Sequence, residues 1–284
     1  LLKFFLSVLA FWLIYIKIDW VEFLEIAKRL NMSIFVLAFL LYNLSQLLGT
    51  IRSWLYLNAI GIYLDHYSNL CLYYLGMFYN LFLPGAIGGD GYKVYFLRKN
   101  FNVKTFDIIQ TLLFDRLNGF AALVILASWS AMGMHLIECS GTNIVYLMVC
   151  SLLFVFACAF IQRWMIKSSF TSYWKMFGLS VLIQCLQCAV ALLIIRSLGE
   201  YAHMYTYVLV FLLSSVSIHM PVSLGGLGAR EVTVVYLLNF LHVDPGYGLA
   251  MAVLFFLIQS LSNCIGVVFY HFNLEPKLHR LSVK

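Results

Sequence analysis

Charge is scarce in this chain: only 11% of its 284 residues are Asp, Glu, Lys or Arg, against roughly 25% in a soluble domain. Hydrophobic residues make up 63% and the mean hydropathy is +0.92. A soluble globule this apolar could not cover its own surface. Proline is also rare, 4 in all, so a proline inside an apolar stretch is informative. The 7 cysteines are an odd number, mostly within apolar runs, and suggest no disulfide framework. Cys185 and Cys188 have C-x-x-C spacing, but no second pair or histidine cluster accompanies them, so packed membrane cysteines fit better than a metal site. A Gly-x-x-x-x-Gly-Lys-Ser/Thr loop is absent, which removes the usual signature of nucleotide-driven transport. No metal or cofactor is implied. The net charge of +6 needs no nucleic acid, because basic loops are what membrane orientation requires.

What is present is a series of long apolar stretches. A hydrocarbon core of about 30 Å takes roughly 20 residues of helix. Six stretches come near that: Leu1–Ile16, Asn31–Ile51, Phe106–Met134, Asn143–Ile161, Gly178–Ile195 and Tyr247–Tyr270. The first has no small-residue cleavage site after it and reads as a span. Residues 17–30 alternate charge with apolar side chains, as a helix at the membrane interface does. Two further stretches are broken in the middle: Asn69–Leu97 at Pro84, Gly85, Gly88 and Gly89, and Met204–Phe240 at Pro221, Gly225, Gly226 and Gly228. Proline removes a donor and glycine admits backbone no other residue tolerates, so helices stop at both places.

The two breaks match. Pro84-Gly-Ala-Ile-Gly-Gly-Asp-Gly-Tyr-Lys93 aligns with Pro221-Val-Ser-Leu-Gly-Gly-Leu-Gly-Ala-Arg230, offset by 221 − 84 = 137 residues in a chain of 284. Basic clusters at Arg98/Lys99/Lys104, Arg163/Lys167/Lys175 and Lys277/Arg280/Lys284 fix orientation. With all three in the cytoplasm, each broken stretch enters and leaves from one side and both termini are cytoplasmic. The sequence therefore predicts an all-α polytopic membrane protein of one domain, 1–284. It has about six full transmembrane helices and two re-entrant helical hairpins, in an inverted repeat of halves 1–137 and 138–284.

Irregular backbone at membrane depth survives only where protein or a polar cavity satisfies it. A resuming helix there offers amide groups and a positive dipole end to an anion. Charged residues gather nearby: Asp90, Lys93, Arg230 and Glu231, with Asp115 and Arg116 inside the third span. Intramembrane charge is costly and should be interior and paired. Either these residues hold the repeats together, or Lys93, Arg116 and Arg230 neutralise a phosphate while the carboxylates orient them. Asn80, His219 and Gln259, with Gln110 and Asn263, are secondary candidates that fit interhelical hydrogen bonds equally well. Arg52, near a span end, reads as a snorkelling side chain.

The stretch from Pro84 to Asp90, Asp115-Arg116 followed by Gly119, and the run from Pro221 to Glu231 resemble the lysylphosphatidylglycerol synthase transmembrane-region family. The resemblance covers nearly the whole chain, and the second break is its most specific part. It implies a bacterial inner membrane protein whose re-entrant hairpins line a lipid path. The family includes the flippase half of the multiple peptide resistance factor, which moves aminoacylated phosphatidylglycerol between leaflets, and stand-alone membrane proteins without a settled function, some described alongside polyprenyl-linked glycan assembly. Nothing in the 284 residues reads as a soluble aminoacyl-transferase domain, and Lys93 stands where many relatives carry an arginine. Three readings follow: a flippase for an anionic phospholipid or polyprenyl-linked glycan lipid; a membrane-embedded glycosyl- or aminoacyl-transferase component with Asp90 or Asp115 as base; or a non-catalytic partner of an enzyme that modifies lipid or glycan.

Overall fold

A computed structural model describes residues 25–26, 28–82, 87–133, 141–166, 170–219 and 229–271. These form nine helices and no strand: α1 (Met32–Ala59), α2 (His66–Phe82), α3 (Ile87–Asn100), α4 (Thr105–Gly133), α5 (Gly141–Ile166), α6 (Phe170–Ser197), α7 (Met204–His219), α8 (Ala229–Phe240) and α9 (Pro245–His271). The expected span Leu1–Ile16 and most of the interfacial segment lie outside the described residues. So do Pro84, Gly85, Pro221, Gly225, Gly226 and Gly228, and the side chain of His219.

Five helices, α1, α4, α5, α6 and α9, are long and apolar enough to cross a membrane, and each overlaps an expected span. The other four have 17, 14, 16 and 12 residues. At 1.5 Å per residue they rise about 18–26 Å, short of the hydrocarbon thickness. They come in two packed pairs, α2 with α3 and α7 with α8. Each pair flanks one expected break.

The surface is inside-out relative to a soluble protein. On α1, Val36, Leu40, Leu44, Leu47 and Ile51 are exposed at spacings of three and four. The opposite face buries Tyr42, Ser45, Gln46, Gly49, Thr50 and Ser53. Small and polar residues inside with aliphatics outside is the pattern of helices surrounded by lipid, where close packing and hydrogen bonds hold the bundle.

Local chemistry sets the helix ends. The Asn31 side chain accepts from the amides of Ser33 and Ile34 and caps α1. At the far end, Gly61 at φ +78° lets its own N–H reach Asn58 and that of Ile62 reach Leu57. The same pair of bonds ends α6, with Gly199 at φ +85°. A left-handed residue is required there, and glycine adopts it without strain.

The most extensive packing joins α1 to α6. The amide of Asn31, at the start of α1, donates to the carbonyl of Ser197 at the end of α6. Arg52, late in α1, reaches Ser180, early in α6. The two helices therefore run antiparallel. Around them, α9 lies along α2 and α4 along α7. Two pairs of starts share one spacing: 170 − 32 and 204 − 66 are both 138, as is 197 − 59 for the ends of α1 and α6, while 229 − 87 is 142 and 245 − 105 is 140.

Before α2, the Asp65 carboxylate accepts from the Ser68 amide at 3.1 Å. Slight burial pushes its pKa up, but the hydrogen bonds from Ser68 outweigh this and hold it below the ordinary carboxylate value. A depressed folded pKa adds stability above the unfolded pKa, and that stability disappears as pH falls through the folded value. Asp65→Ala should thus cost about 1 kcal/mol near neutral pH, a loss of about 2–4 °C in the thermal midpoint. The difference from wild type should close once pH falls well below about 4. Thermal melts in detergent at both pH values check this.

Candidate functional site

The site is built on the close approach of α2 and α3. A Cβ at Gly89 would lie 2.1 Å from the carbonyl oxygen of Gly76, so no side chain fits and the two backbones touch. The Gly89 amide, one of the free donors at the start of α3, donates to Asn80 Oδ1 at 2.8 Å. Asn80 on α2 thereby satisfies a donor that sequence reasoning had left open to an anion.

One turn beyond Gly89, Lys93 turns inward and is only 8% exposed. Its stem passes Gly76, and Nζ sits 4.7 Å from the centre of the Tyr73 ring. The Tyr73 hydroxyl donates to Gln46 Oε1 on α1 at 3.3 Å, which steadies the ring under the ammonium.

Two ion pairs flank this lysine. Arg116 Nε lies 2.5 Å from Asp90 Oδ2, and Arg52 Nε lies 2.7 Å from Asp115 Oδ1. Successive residues on a helix point about 100° apart, so Asp115 and Arg116 reach different neighbours, α1 and α3. The Arg52 pair is well buried, with side chains 12% and 14% exposed. The Arg116 pair is more open, at 35% and 26%. Arg52 corrects the sequence reading. It does not snorkel to the interface, because Asp115 and the Ser180 hydroxyl, at 2.9 Å, hold it between α1, α4 and α6.

The charged groups facing Lys93 are Asp90, Asp115, Arg116 and Arg52. Three bases against two carboxylates leave one positive charge. Lys93 itself makes no ion pair among the described residues.

Arg230 occupies a second location. It is the second residue of α8 and only 6% exposed. Its guanidinium carbon lies 5.3 Å from the Phe211 ring of α7 and 4.6 Å from the Phe255 ring of α9. Its buried Nε has no hydrogen-bond partner. The adjacent Glu231 is also buried. The groups facing Arg230 electrostatically are Glu231 and Tyr42. Tyr42 also packs edge-on against Phe255 and interacts electrostatically with Tyr73, the ring beneath Lys93.

The structure therefore gathers Asp90, Lys93, Asp115, Arg116 and Arg52 in one cluster and sets Arg230 and Glu231 apart. Gly88 lies in the first turn of α3. Gln259 is half-buried on α9, while Gln110 and Asn263 are buried. None of these three makes a side-chain hydrogen bond among the described residues. Sequence reasoning missed Arg52, Tyr42, Tyr73, Phe211 and Phe255. One signal was available: Tyr73 and Phe211 are 138 residues apart, the spacing of the helices that carry them.

A profile of the family described as Lysylphosphatidylglycerol synthase TM region matches residues 1–266. The chain belongs to that family. No curated protein matches it closely enough to name as a relative. With five long apolar helices, this family member is an integral membrane protein of the lipid-modification and transport kind. Among the described residues no three His, Cys, Asp or Glu converge as metal ligands. What the family's transmembrane region presents here is buried positive charge on aromatic rings, an arrangement suited to holding an anion.

Proposed function

We propose that the protein is a lipid flippase or transporter, moving an anionic phospholipid or polyprenyl-linked glycan lipid across the bacterial inner membrane. The observation that carries this reading is the pair of buried cations. Lys93 and Arg230 are equivalent positions of the two matching breaks, each rests on aromatic rings, and neither makes an ion pair among the described residues. Burying a charge without a partner costs several kcal/mol. A transported anion explains why both persist.

The mechanism is alternating access, with one half rocking against the other around the hairpins α2–α3 and α7–α8. Several features support an inverted repeat of halves 1–137 and 138–284. The starts of α1 and α6, and of α2 and α7, are 138 residues apart, and corresponding pairs pack alike: α9 on α2 as α4 on α7, and α2 on α3 as α7 on α8. The corresponding helices α1 and α6 run antiparallel, as inversion requires. Both termini are then cytoplasmic, by the placement of basic residues. A transferase is less well served. Asp90 and Asp115, the carboxylates it would use as base, are each already engaged by an arginine.

The test is reconstitution in liposomes with a fluorescent phosphatidylglycerol and an impermeant quencher. Wild type should expose the inner-leaflet label to the quencher. Asp90→Ala and Lys93→Met should slow this at least tenfold with the helical content intact. Equal rates for wild type and both variants would remove the site from transport.

A further inference from the structure

We infer that a hydrated Mg²⁺ ion binds between Glu200 and Asp244, at the end of the bundle where α1 and α9 begin and α6 stops. The site goes beyond the transport reading and does not depend on it. At this end the Asn31 amide, before α1, donates to the Ser197 carbonyl of α6. Arg29 donates to the Tyr247 hydroxyl of α9 at 3.4 Å. Leu198, Tyr207, Val243 and Tyr247 pack in the same apolar cluster. Leu198 and Val243 stand just before Glu200 and Asp244, so the α6–α7 and α8–α9 connections meet here.

Both connections are fixed locally. Gly199 at φ +85° turns the chain after α6, and the Glu200 amide donates to the Ile195 carbonyl. Asp244 Oδ1 accepts from the Gly246 amide at 2.7 Å, which caps α9 and leaves Oδ2 uncommitted. Neither carboxylate forms an ion pair among the described residues.

The observation that points to a ligand is Tyr207. It is only 2% exposed, and its hydroxyl faces Glu200, Asp244 and Tyr247. It makes no hydrogen bond among the described residues, although a buried phenol ordinarily finds a partner. The carboxylates stand beyond its reach and leave a gap. A hydrated cation held by Glu200 and Asp244 fills that gap, and one of its water ligands donates to the Tyr207 oxygen.

The donor set selects the ion. Carboxylate and phenol oxygens are hard ligands, and no third His, Cys, Asp or Glu joins them among the described residues. Such a set suits Mg²⁺, which binds through one or two carboxylates and keeps several waters. Two negative charges balance the ion. Arg29 already occupies the Tyr247 oxygen, so Tyr247 walls the site without ligating. Glu200 leads into α7 and Asp244 follows α8, so the ion ties together the two segments that bracket this hairpin.

Electron paramagnetic resonance counts bound Mn²⁺, standing in for Mg²⁺, on the full chain in phosphatidylcholine nanodiscs after chelator treatment. Wild type should retain one Mn²⁺ that excess Mg²⁺ displaces. Glu200→Gln and Asp244→Asn should each abolish retention, and Tyr207→Phe should weaken it about tenfold. Asp244→Asn keeps a side-chain oxygen to cap α9, so its loss of the ion would not report a lost fold. Mg²⁺ at about a hundredfold its Kd should raise the wild-type thermal midpoint by about 5 °C and leave both carboxylate variants unmoved. No Mn²⁺ on wild type, or equal retention by wild type and both carboxylate variants, would overturn the inference. Displacement by Ca²⁺ but not by Mg²⁺ would overturn it too. Ion count and midpoint are read without lipid movement, so failure of the site and failure of the transport reading are told apart.

Discussion

Arg230→Met is expected to abolish movement of anionic lipid and, at the same time, to raise the thermal midpoint by about 3 °C or more. The two effects share one cause. The guanidinium is buried, its Nε has no partner, and desolvating an unpaired charge costs several kcal/mol. Its stacking on Phe211 and Phe255 returns about 2 kcal/mol at most. Methionine keeps the apolar contact, adapts to irregular space and removes the charge. Gained stability with lost activity marks a residue kept for function, since strained or unpaired groups persist at working sites. A structural arginine behaves in the opposite way, so a fall in the melting midpoint would refute the assignment.

The second large effect falls on Asp115. Asp115→Leu leaves Arg52 between α1, α4 and α6 with only the Ser180 hydroxyl as partner. Removing one member of a buried pair costs about 3–5 kcal/mol, which corresponds to about 10 °C in the melting midpoint. Replacing both members, Arg52→Met with Asp115→Leu, should recover most of that loss, because two apolar residues leave no charge stranded. Midpoints of the two single variants and the double variant close a cycle. Additive losses would show that the pair does not couple.

These effects separate the two kinds of charge in the bundle. Arg52 and Asp115 hold helices together. Lys93 and Arg230 have no such partner among the described residues, and the transport reading proposed above gives them a ligand. Sequence reasoning weighed both uses for the whole set and could not divide it, since spacing does not reveal which carboxylate meets which base. Asp90 and Arg116 are 26 residues apart and Arg52 and Asp115 are 63 apart, and only folding brings them into contact.

The spans were legible because hydropathy and helix length answer to the bilayer directly. Proline and glycine act on their own backbone, which is why breaks were expected at Pro84 and Pro221; both lie outside the described residues, while Gly88 and Gly89 fall within α3. The starts of α1 and α6, and of α2 and α7, are 138 residues apart, within one residue of the 137-residue offset between the two motifs. Less legible was Asn80. Its residue type fits any interhelical bond, and its role at the Gly89 amide follows from the contact of two glycines across a hairpin.

By itself the sequence determined membrane residence and the helical class, because each depends on local composition. The tertiary structure alone decided that Arg52 is a buried brace, that Asp90 belongs to Arg116, and that Lys93 and Arg230 lie in different surroundings. Pairing and desolvation are properties of neighbours in space, and those neighbours come from helices far apart along the chain.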